Sequence, residues 1–180
     1  MDENIDVATH PTPETLLDDR PDWARDLVGF ELRSDAFRDG APIPPRYTAD
    51  GDDLSPALAW GTPPEGTRSL ALVVDDPDAP GGLFTHWIVI GLPPTAGDLV
   101  EGRGTDPSDV AGAVALTNDF DRVGWSSPTP PPGKPHRYRF RLMALDFVPR
   151  LPPSARRGDF DAAIEGHVIA ETVLTGIYGR

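Results

Sequence analysis

Two apolar segments, joined by an acidic and proline-rich loop, form the most strongly patterned part of the chain. Residues 70–74 are five consecutive apolar side chains, and residues 84–90 return to a strand-like pattern after a Gly-Gly turn. An unbroken apolar run with β-branched members is typical of a strand that is covered on both faces. Pro77 and Pro80 end the first strand because proline cannot donate to a β-ladder. The pattern therefore predicts two buried strands whose connecting loop carries several carboxylates.

A histidine lies near the start of the second of these strands. Simple alternation places His86 on the same face as Phe84, Ile88 and Ile90, so its imidazole is predicted to point toward the apolar side. The carboxylates of the preceding loop then lie close to this imidazole. A core histidine that is satisfied by one backbone carbonyl is the alternative interpretation of the same position.

The segment His136–Leu145 shows strict alternation over its length. One face holds Arg137, Arg139 and Arg141, and the other holds His136, Tyr138, Phe140, Leu142 and Ala144. This period of two predicts an amphipathic strand with a second inward-facing histidine. The three arginines are predicted to form a solvated face that offsets nearby acidic groups.

The remaining pattern is one of short elements and turns. Residues 58–60 and 112–116 are predicted as short strands, and residues 91–107 as a long surface connection. Residues 159–170 are predicted as the one convincing helix, with Asp159 or Asp161 as its cap and with Phe160, Ile164 and Val168 along one stripe. His167 is predicted to lie on this helix as a packing or capping residue.

Composition agrees with a single domain built from short strands. The chain has 180 residues, and its 22 Pro and 18 Gly argue against long helices. Residues 1–27 hold eight acidic and two basic residues, and they are predicted as an acidic N-terminal extension that is partly helical or disordered. Thr12 is the predicted cap of its helical turns, and Leu16, Leu17, Trp23 and Leu27 are its candidate docking residues. Residues 28–180 are predicted to form the folded domain.

The net charge of −13 argues against the classes of protein that bind polyanions. With 29 acidic and 16 basic residues, the chain has little electrostatic support for binding nucleic acid or anionic membranes. Lys134 is the only lysine, and such an acidic, lysine-poor surface indicates a halophilic protein, although a GC-rich coding bias also favours Arg over Lys.

Cysteine content and hydropathy restrict the expected cellular location of the protein and the kinds of site that it can contain. The chain has no cysteine, which excludes disulfides, thiolate zinc sites and cysteine nucleophiles. It has no apolar run of membrane-spanning length, and its acidic start differs from a signal peptide. We therefore expect a cytoplasmic protein with no stable membrane insertion.

Three motifs together resemble a known family. They are Asp76-Pro77-Asp78-Ala79-Pro80, Thr85-His86-Trp87 and Gly133-Lys134-Pro135-His136-Arg137-Tyr138. In this order and approximate spacing they resemble the phosphatidylethanolamine-binding protein family, also called Raf kinase inhibitor-like proteins, and in particular its bacterial and archaeal branch. The resemblance extends over residues 30–180.

The resemblance implies a mainly β fold, an antiparallel β-sandwich with Greek-key topology and a few peripheral short helices. It also implies a small pocket at one end of the sandwich that accepts anions such as phosphate or a phospholipid head group. The ligand-binding residues that it implies are Asp76, Asp78 in the bracing loop, Pro80 as a proline wall, His86, His136 and Tyr138.

The predicted function is therefore that of a small-anion binding protein without a cofactor. Each imidazole can donate one N–H to a phosphoryl oxygen, so affinity is expected to fall as pH rises through the histidine pKa values. The resemblance further implies regulation of a partner protein, such as a kinase or a protease, and a homodimer. Ligand preference stays open, because residues 124–130 read Gly-Trp-Ser-Ser-Pro-Thr-Pro where bacterial members have a glycine-rich run.

Two other kinds of site use the same residues. An acid–base enzyme, such as a hydrolase with Ser126 or Ser127 as its nucleophile, is the alternative function, but the sequence shows neither a nucleophile elbow nor an oxyanion hole. A metal site of His86, His136 and Asp76 has an acceptable ligand count without a short His-x-His spacing. Residues 50–53 resemble half of a calcium loop and are predicted to be a solvated turn. We therefore predict a binding protein without a metal, and more readily a non-enzyme than an enzyme.

Overall fold

The computed structural model describes residues 21–104 and 112–180, which form two packed antiparallel sheets. The strands are β1 (Leu32–Arg33), β2 (Leu58–Trp60), β3 (Ser69–Asp76), β4 (Phe84–Leu92), β5 (Asp98–Leu99), β6 (Val114–Ala115), β7 (His136–Leu145) and β8 (Val168–Tyr178), with helix α1 (Arg157–Ile164) between β7 and β8. Short 3-10 turns cover Asp22–Ala24 and Pro45–Tyr47. The predicted antiparallel sandwich with peripheral short helices is confirmed.

Strand order places β3 at the centre of the larger sheet. The three-stranded sheet has the order β1-β2-β5, and the five-stranded sheet has the order β6-β4-β3-β7-β8. Every residue of β3 is buried, because one face packs on the smaller sheet and the other on α1. Leu70, Leu72 and Val74 belong to the core between the sheets, and Ala71 and Val73 belong to the core beneath α1. Residues 70–74 are therefore all apolar because β3 is buried on both faces, as the pattern predicted.

The predicted alternation along β4 is wrong at one position. Val74 pairs with Trp87 and Asp75 pairs with Thr85, so His86 is an extra residue in a β-bulge. The bulge leaves the His86 side chain against Tyr138, on the side of the inter-sheet core, whereas Ile88 and Ile90 join the core beneath α1. His86 therefore does not share a face with Ile88 and Ile90.

The predicted helix over residues 159–170 is wrong at its C-terminal end. Helix α1 ends at Ile164, and Gly166 adopts a φ of 78°, a left-handed conformation that ends helices. Strand β8 then begins at Val168, which pairs with Leu145 of β7. Residue His167 lies in the turn between the two elements, where its Nδ1 is 2.7 Å from Asp146 Oδ1. Phe160 and Ile164 are buried as predicted, and Val168 is largely exposed.

The N-terminal part of the described chain packs on the smaller sheet. Ala24 and Leu27 are buried against Ala59 of β2, and Trp23 packs beside them. The predictions for Thr12, Leu16 and Leu17 lie outside the described residues. The division of the chain at residues 27 and 28 stays a prediction.

Residues 91–107, predicted as a surface connection, contain β5 with a buried Leu99.

The arginine face of β7 is not simply solvated. Arg139 lies directly opposite Asp75 across the sheet, and its Nε is 2.7 Å from Asp75 Oδ1. Arg141 and Arg157, the first residue of α1, reach the other carboxylate oxygen at 3.4 and 3.2 Å. Asp75 has no exposed surface, so a fully buried carboxylate is held by three guanidinium groups. This cluster joins α1 to the sheet.

Candidate functional site

A cavity of about 170 Å³ lies where the C-terminal end of β3 meets the N-terminal ends of β4 and β7. Its walls are formed by Asp76, Ala79, Pro80, Phe84, His86, Phe120, Thr129, Pro130, Pro131, His136 and Tyr138. Five of the six predicted ligand-binding residues are therefore brought together at one cavity. The sixth, Asp78, lies beside it.

Asp76 and His136 form a buried hydrogen-bonded pair on the cavity wall. Because side chains alternate along β3, Asp76 points into the cavity while Asp75 points toward α1. The His136 Nδ1–H donates to Asp76 Oδ2 at 2.7 Å. The other carboxylate oxygen accepts the backbone N–H of Asp78 at 2.8 Å. Both oxygens of Asp76 are thus held in place, and Nε2 is the His136 nitrogen left for a ligand.

Asp78 braces the site from outside. Its carboxylate accepts hydrogen bonds from the backbone N–H, Nε and Nη2 of Arg137, at 3.0, 2.8 and 2.8 Å. These hydrogen bonds from Arg137 hold the pKa of Asp78 well below its usual range. Since Arg137 follows His136 directly, this contact fixes the start of β7 against the loop after β3. Asp78 is therefore not part of the cavity wall, and its assignment as a ligand-binding residue stays a prediction.

His86 is oriented by a main-chain carbonyl. Its Nδ1–H donates to the Ser126 carbonyl at 2.8 Å, and its ring contacts those of Phe84, Phe120 and Tyr138 at centroid distances of 5.3 to 5.4 Å. Burial lowers the pKa of His86 because the charged imidazolium loses hydration. The neutral ring therefore has a proton on Nδ1 and a lone pair on Nε2.

The hydroxyl group of Tyr138 is the unsatisfied polar group of the cavity. It is fully buried and has no hydrogen-bond partner among the described residues, although the Thr129 backbone amide lies near it. Burial raises the pKa of Tyr138, so the phenol is protonated and can donate as well as accept. Buried polar groups are nearly always paired, so a phenol without a described partner is an exception among the polar groups of this cavity.

We expect the imidazole of His86 to titrate below the ordinary histidine value of about 6.5 in phosphate-free buffer. Because its folded-state pKa is lowered, the unfolded state binds more protons. The contribution of His86 to stability is therefore present above about pH 6.5 and is lost as pH falls from there through the folded-state pKa.

Proton NMR titration measures this value, with the His86→Gln variant used to assign the resonance. The histidine His167, which is exposed and paired with Asp146, provides an internal comparison in the same spectra. A midpoint for His86 at or above about 6.5 would contradict the prediction.

A buried asparagine organises the loop that holds His86. Asn118 Nδ2 lies 2.9 to 3.1 Å from the carbonyls of His86 and Gly124 and from Ser126 Oγ, and its Oδ1 accepts the backbone N–H groups of Phe120 and Arg122. Sequence analysis missed this residue because it lies in an irregular segment without periodicity. It also missed the aromatic walls Phe84 and Phe120 as residues of the site.

The residues considered for a serine nucleophile, a metal site or a calcium loop form other contacts. Ser126 Oγ accepts from Asn118, and His86 bonds to the main chain of Ser126, so no described histidine bonds to either serine hydroxyl. Within residues 21–104 and 112–180, no group of three or more His, Cys, Asp or Glu residues is arranged to hold a metal ion. Asp50 in the predicted solvated turn instead pairs with Arg180 and Tyr178.

The two packed antiparallel sheets define the fold class as a β-sandwich, and three comparisons identify the family. Residues 33–179 match the family described as phosphatidylethanolamine-binding protein. A UPF0098 protein of Methanothermobacter thermautotrophicus is 44% identical over 151 residues, which cover 84% of this chain and 99% of the relative. The crystal structure of Escherichia coli YbcL, named as a new member of the mammalian PEBP family, has a TM-score of 0.79 and 30% identity, with 84% of this chain and 98% of YbcL covered. The chain therefore belongs to the phosphatidylethanolamine-binding protein family, as its motifs predicted.

A third relative is relevant to the cellular location of this protein. LppC of Mycobacterium tuberculosis is 39% identical over 148 residues, covering 82% of this chain and 71% of the relative, and its name describes it as a lipoprotein. In the part of this chain that the structure describes, no helix is long and apolar enough to cross a bilayer. A cytoplasmic location stays a prediction.

Proposed function

We propose that this protein binds the phosphate group of a small phosphate monoester in a form that carries a proton. The observation that supports this most strongly is the cavity itself, in which the Asp76–His136 pair, the His86 ring and an unpartnered phenol converge within about 170 Å³. Phosphate oxygens accept from donors such as the Tyr138 hydroxyl, and a P–OH group donates to His86 Nε2.

The charges around the cavity favour a proton-bearing ligand. None of the described residues that line it is Lys or Arg, and Asp76 contributes a carboxylate. A phosphate dianion would therefore meet a negative group with no fixed cation to balance it. A monoanion that donates one hydrogen bond matches the neutral imidazole of His86 and places less charge beside Asp76.

The proposal predicts that affinity falls as pH rises. The complex holds one proton more than free dianion and neutral His86 together, whether that proton resides on the phosphate or on the imidazole. Affinity for inorganic phosphate should therefore fall by about tenfold for each pH unit above about 6.5 to 7. Calorimetric titration in molar salt at pH 6.0, 7.0 and 8.0 measures this dependence. Constant or rising affinity over this range would overturn the proposal.

Substitution of the histidine pair tests the location of the site. The His136→Gln variant should bind phosphate at least about tenfold more weakly, because it loses both the contact to Asp76 and the Nε2 group that faces the ligand. The matched control is His167→Gln, which breaks a His–Asp contact of the same 2.7 Å length on the exposed turn before β8. Equal affinities in wild type and His136→Gln would place phosphate elsewhere.

A phosphate diester provides a further comparison, since it has no second ionisable proton. We expect dimethyl phosphate to bind more weakly than methyl phosphate at pH 6.0.

Two further properties stay predictions from the resemblance. They are regulation of a partner protein, such as a kinase or a protease, and formation of a homodimer.

A further inference from the structure

A second cavity of about 190 Å³ lies beside the first and shares Phe120 and Thr129 with it as lining residues. Its other polar lining comes from Asp53, Arg122, Ser126 and Ser127. The second cavity therefore differs from the first in chemistry, since it presents a guanidinium, a carboxylate and hydroxyl groups where the first presents aromatic and proline walls.

Several of these polar groups have no partner among the described residues. Neither Asp53 nor Arg122 forms an ion pair within residues 21–104 and 112–180, although most arginines of this protein do. Ser127 lines the cavity, and its Oγ has no hydrogen bond to any described residue. This oxygen is not one of the fully buried unpaired atoms, so the hydroxyl is open to a molecule that enters the cavity.

The backbone supports the same conclusion. Asp53 has a φ of 55° and Asp121, which precedes Arg122, has a φ of 59°, and these are the non-glycine residues with positive φ in the described chain. Aspartate tolerates this conformation, which is nevertheless uncommon and is found more often at functional sites. Both turns present a charged side chain to the same cavity.

We propose that the second cavity binds the organic part of the ligand and selects a hydroxylated phosphate monoester, such as a glycerol or sugar phosphate. This inference rests on the proposed function, because the phosphate group is assigned to the first cavity. A hydroxyl group both donates and accepts, so vicinal hydroxyls can donate to the Asp53 carboxylate and accept from Arg122 and Ser127. An alkyl chain would leave these groups desolvated and unpaired, which disfavours it.

The test compares two ligands of equal phosphate charge. Glycerol 3-phosphate and ethyl phosphate differ in the hydroxyl groups of their organic parts, and both are titrated calorimetrically at pH 6.0 in molar salt. Wild type should bind glycerol 3-phosphate about tenfold more tightly. The Arg122→Gln variant should lose this preference, and Ser127→Ala should reduce the preference about fivefold.

The matched control is Arg150→Gln, which removes one positive charge from the exposed segment after β7, at the end of that strand away from His136. It should leave the preference unchanged. Equal binding of the two esters by wild type, or a preference that survives in both Arg122→Gln and Ser127→Ala, would overturn the inference while leaving phosphate binding intact. Failure of inorganic phosphate and of both esters to bind would instead overturn the proposed function, and this inference with it.

Discussion

The Asp75→Asn substitution should lower the free energy of unfolding by about 3–5 kcal/mol. Asp75 is fully buried and accepts contacts from Arg139, Arg141 and Arg157. An amide of the same shape removes the negative charge while leaving three guanidinium groups close together. The loss is large because breaking a buried ionic cluster leaves uncompensated charge in a poorly solvated place.

Urea denaturation at constant high salt measures this loss. The matched control is Glu171→Gln, which removes the partly exposed carboxylate that also pairs with Arg141. Exposed pairs contribute little, so this control should cost no more than about 1 kcal/mol. If the two variants were equally stable, the arginines would be adequately solvated without Asp75, and the cluster would not be what joins α1 to the sheet.

The second large effect is expected at Asn118. The Asn118→Ala substitution should lower the free energy of unfolding by about 2–4 kcal/mol, because it leaves several buried main-chain groups without partners. Its side chain bonds the His86 carbonyl on β4 and the Ser126 hydroxyl on the opposing loop, so it connects two walls of the site. We also expect weaker phosphate binding, since the loop that orients His86 loses its support.

Thr117→Val provides the control from the neighbouring residue. Its hydroxyl donates one hydrogen bond, to the Pro153 carbonyl, at an exposed position. Loss of a single exposed hydrogen bond should cost no more than about 1 kcal/mol. A similar loss in Thr117→Val and Asn118→Ala would show that this segment responds to any substitution, and would remove the special role assigned to Asn118.

Local pattern was sufficient for the strands that carry most of the site. The alternation of His136–Leu145 predicted β7 with its correct bounds, because one face of that strand packs in the core and the other carries arginines. The apolar run before Asp75 predicted a strand buried on both faces, and Pro77 predicted its end. The motifs around Asp76, His86 and His136 led to the family and to five residues of one cavity.

Long-range contacts explain where prediction from the sequence failed. Residues 168–170 follow a helical stripe, but Gly166 ends the helix and the open edge of β7 pairs with the segment that follows. Asn118 has no periodic signal, because its five polar contacts form only when separate segments meet.

By itself, the sequence determined strands β3 and β7, the family and five residues of the first cavity, since each depends on short-range alternation or on a contiguous motif. The tertiary structure alone decided the face of His86, because the bulge exists only in the pairing of β4 with β3. It also decided that Arg157 reaches Asp75 and that Asp53, Arg122 and Ser127 line a second cavity. Those contacts join side chains from distant parts of the chain, and a burial pattern read along one strand contains no information about them.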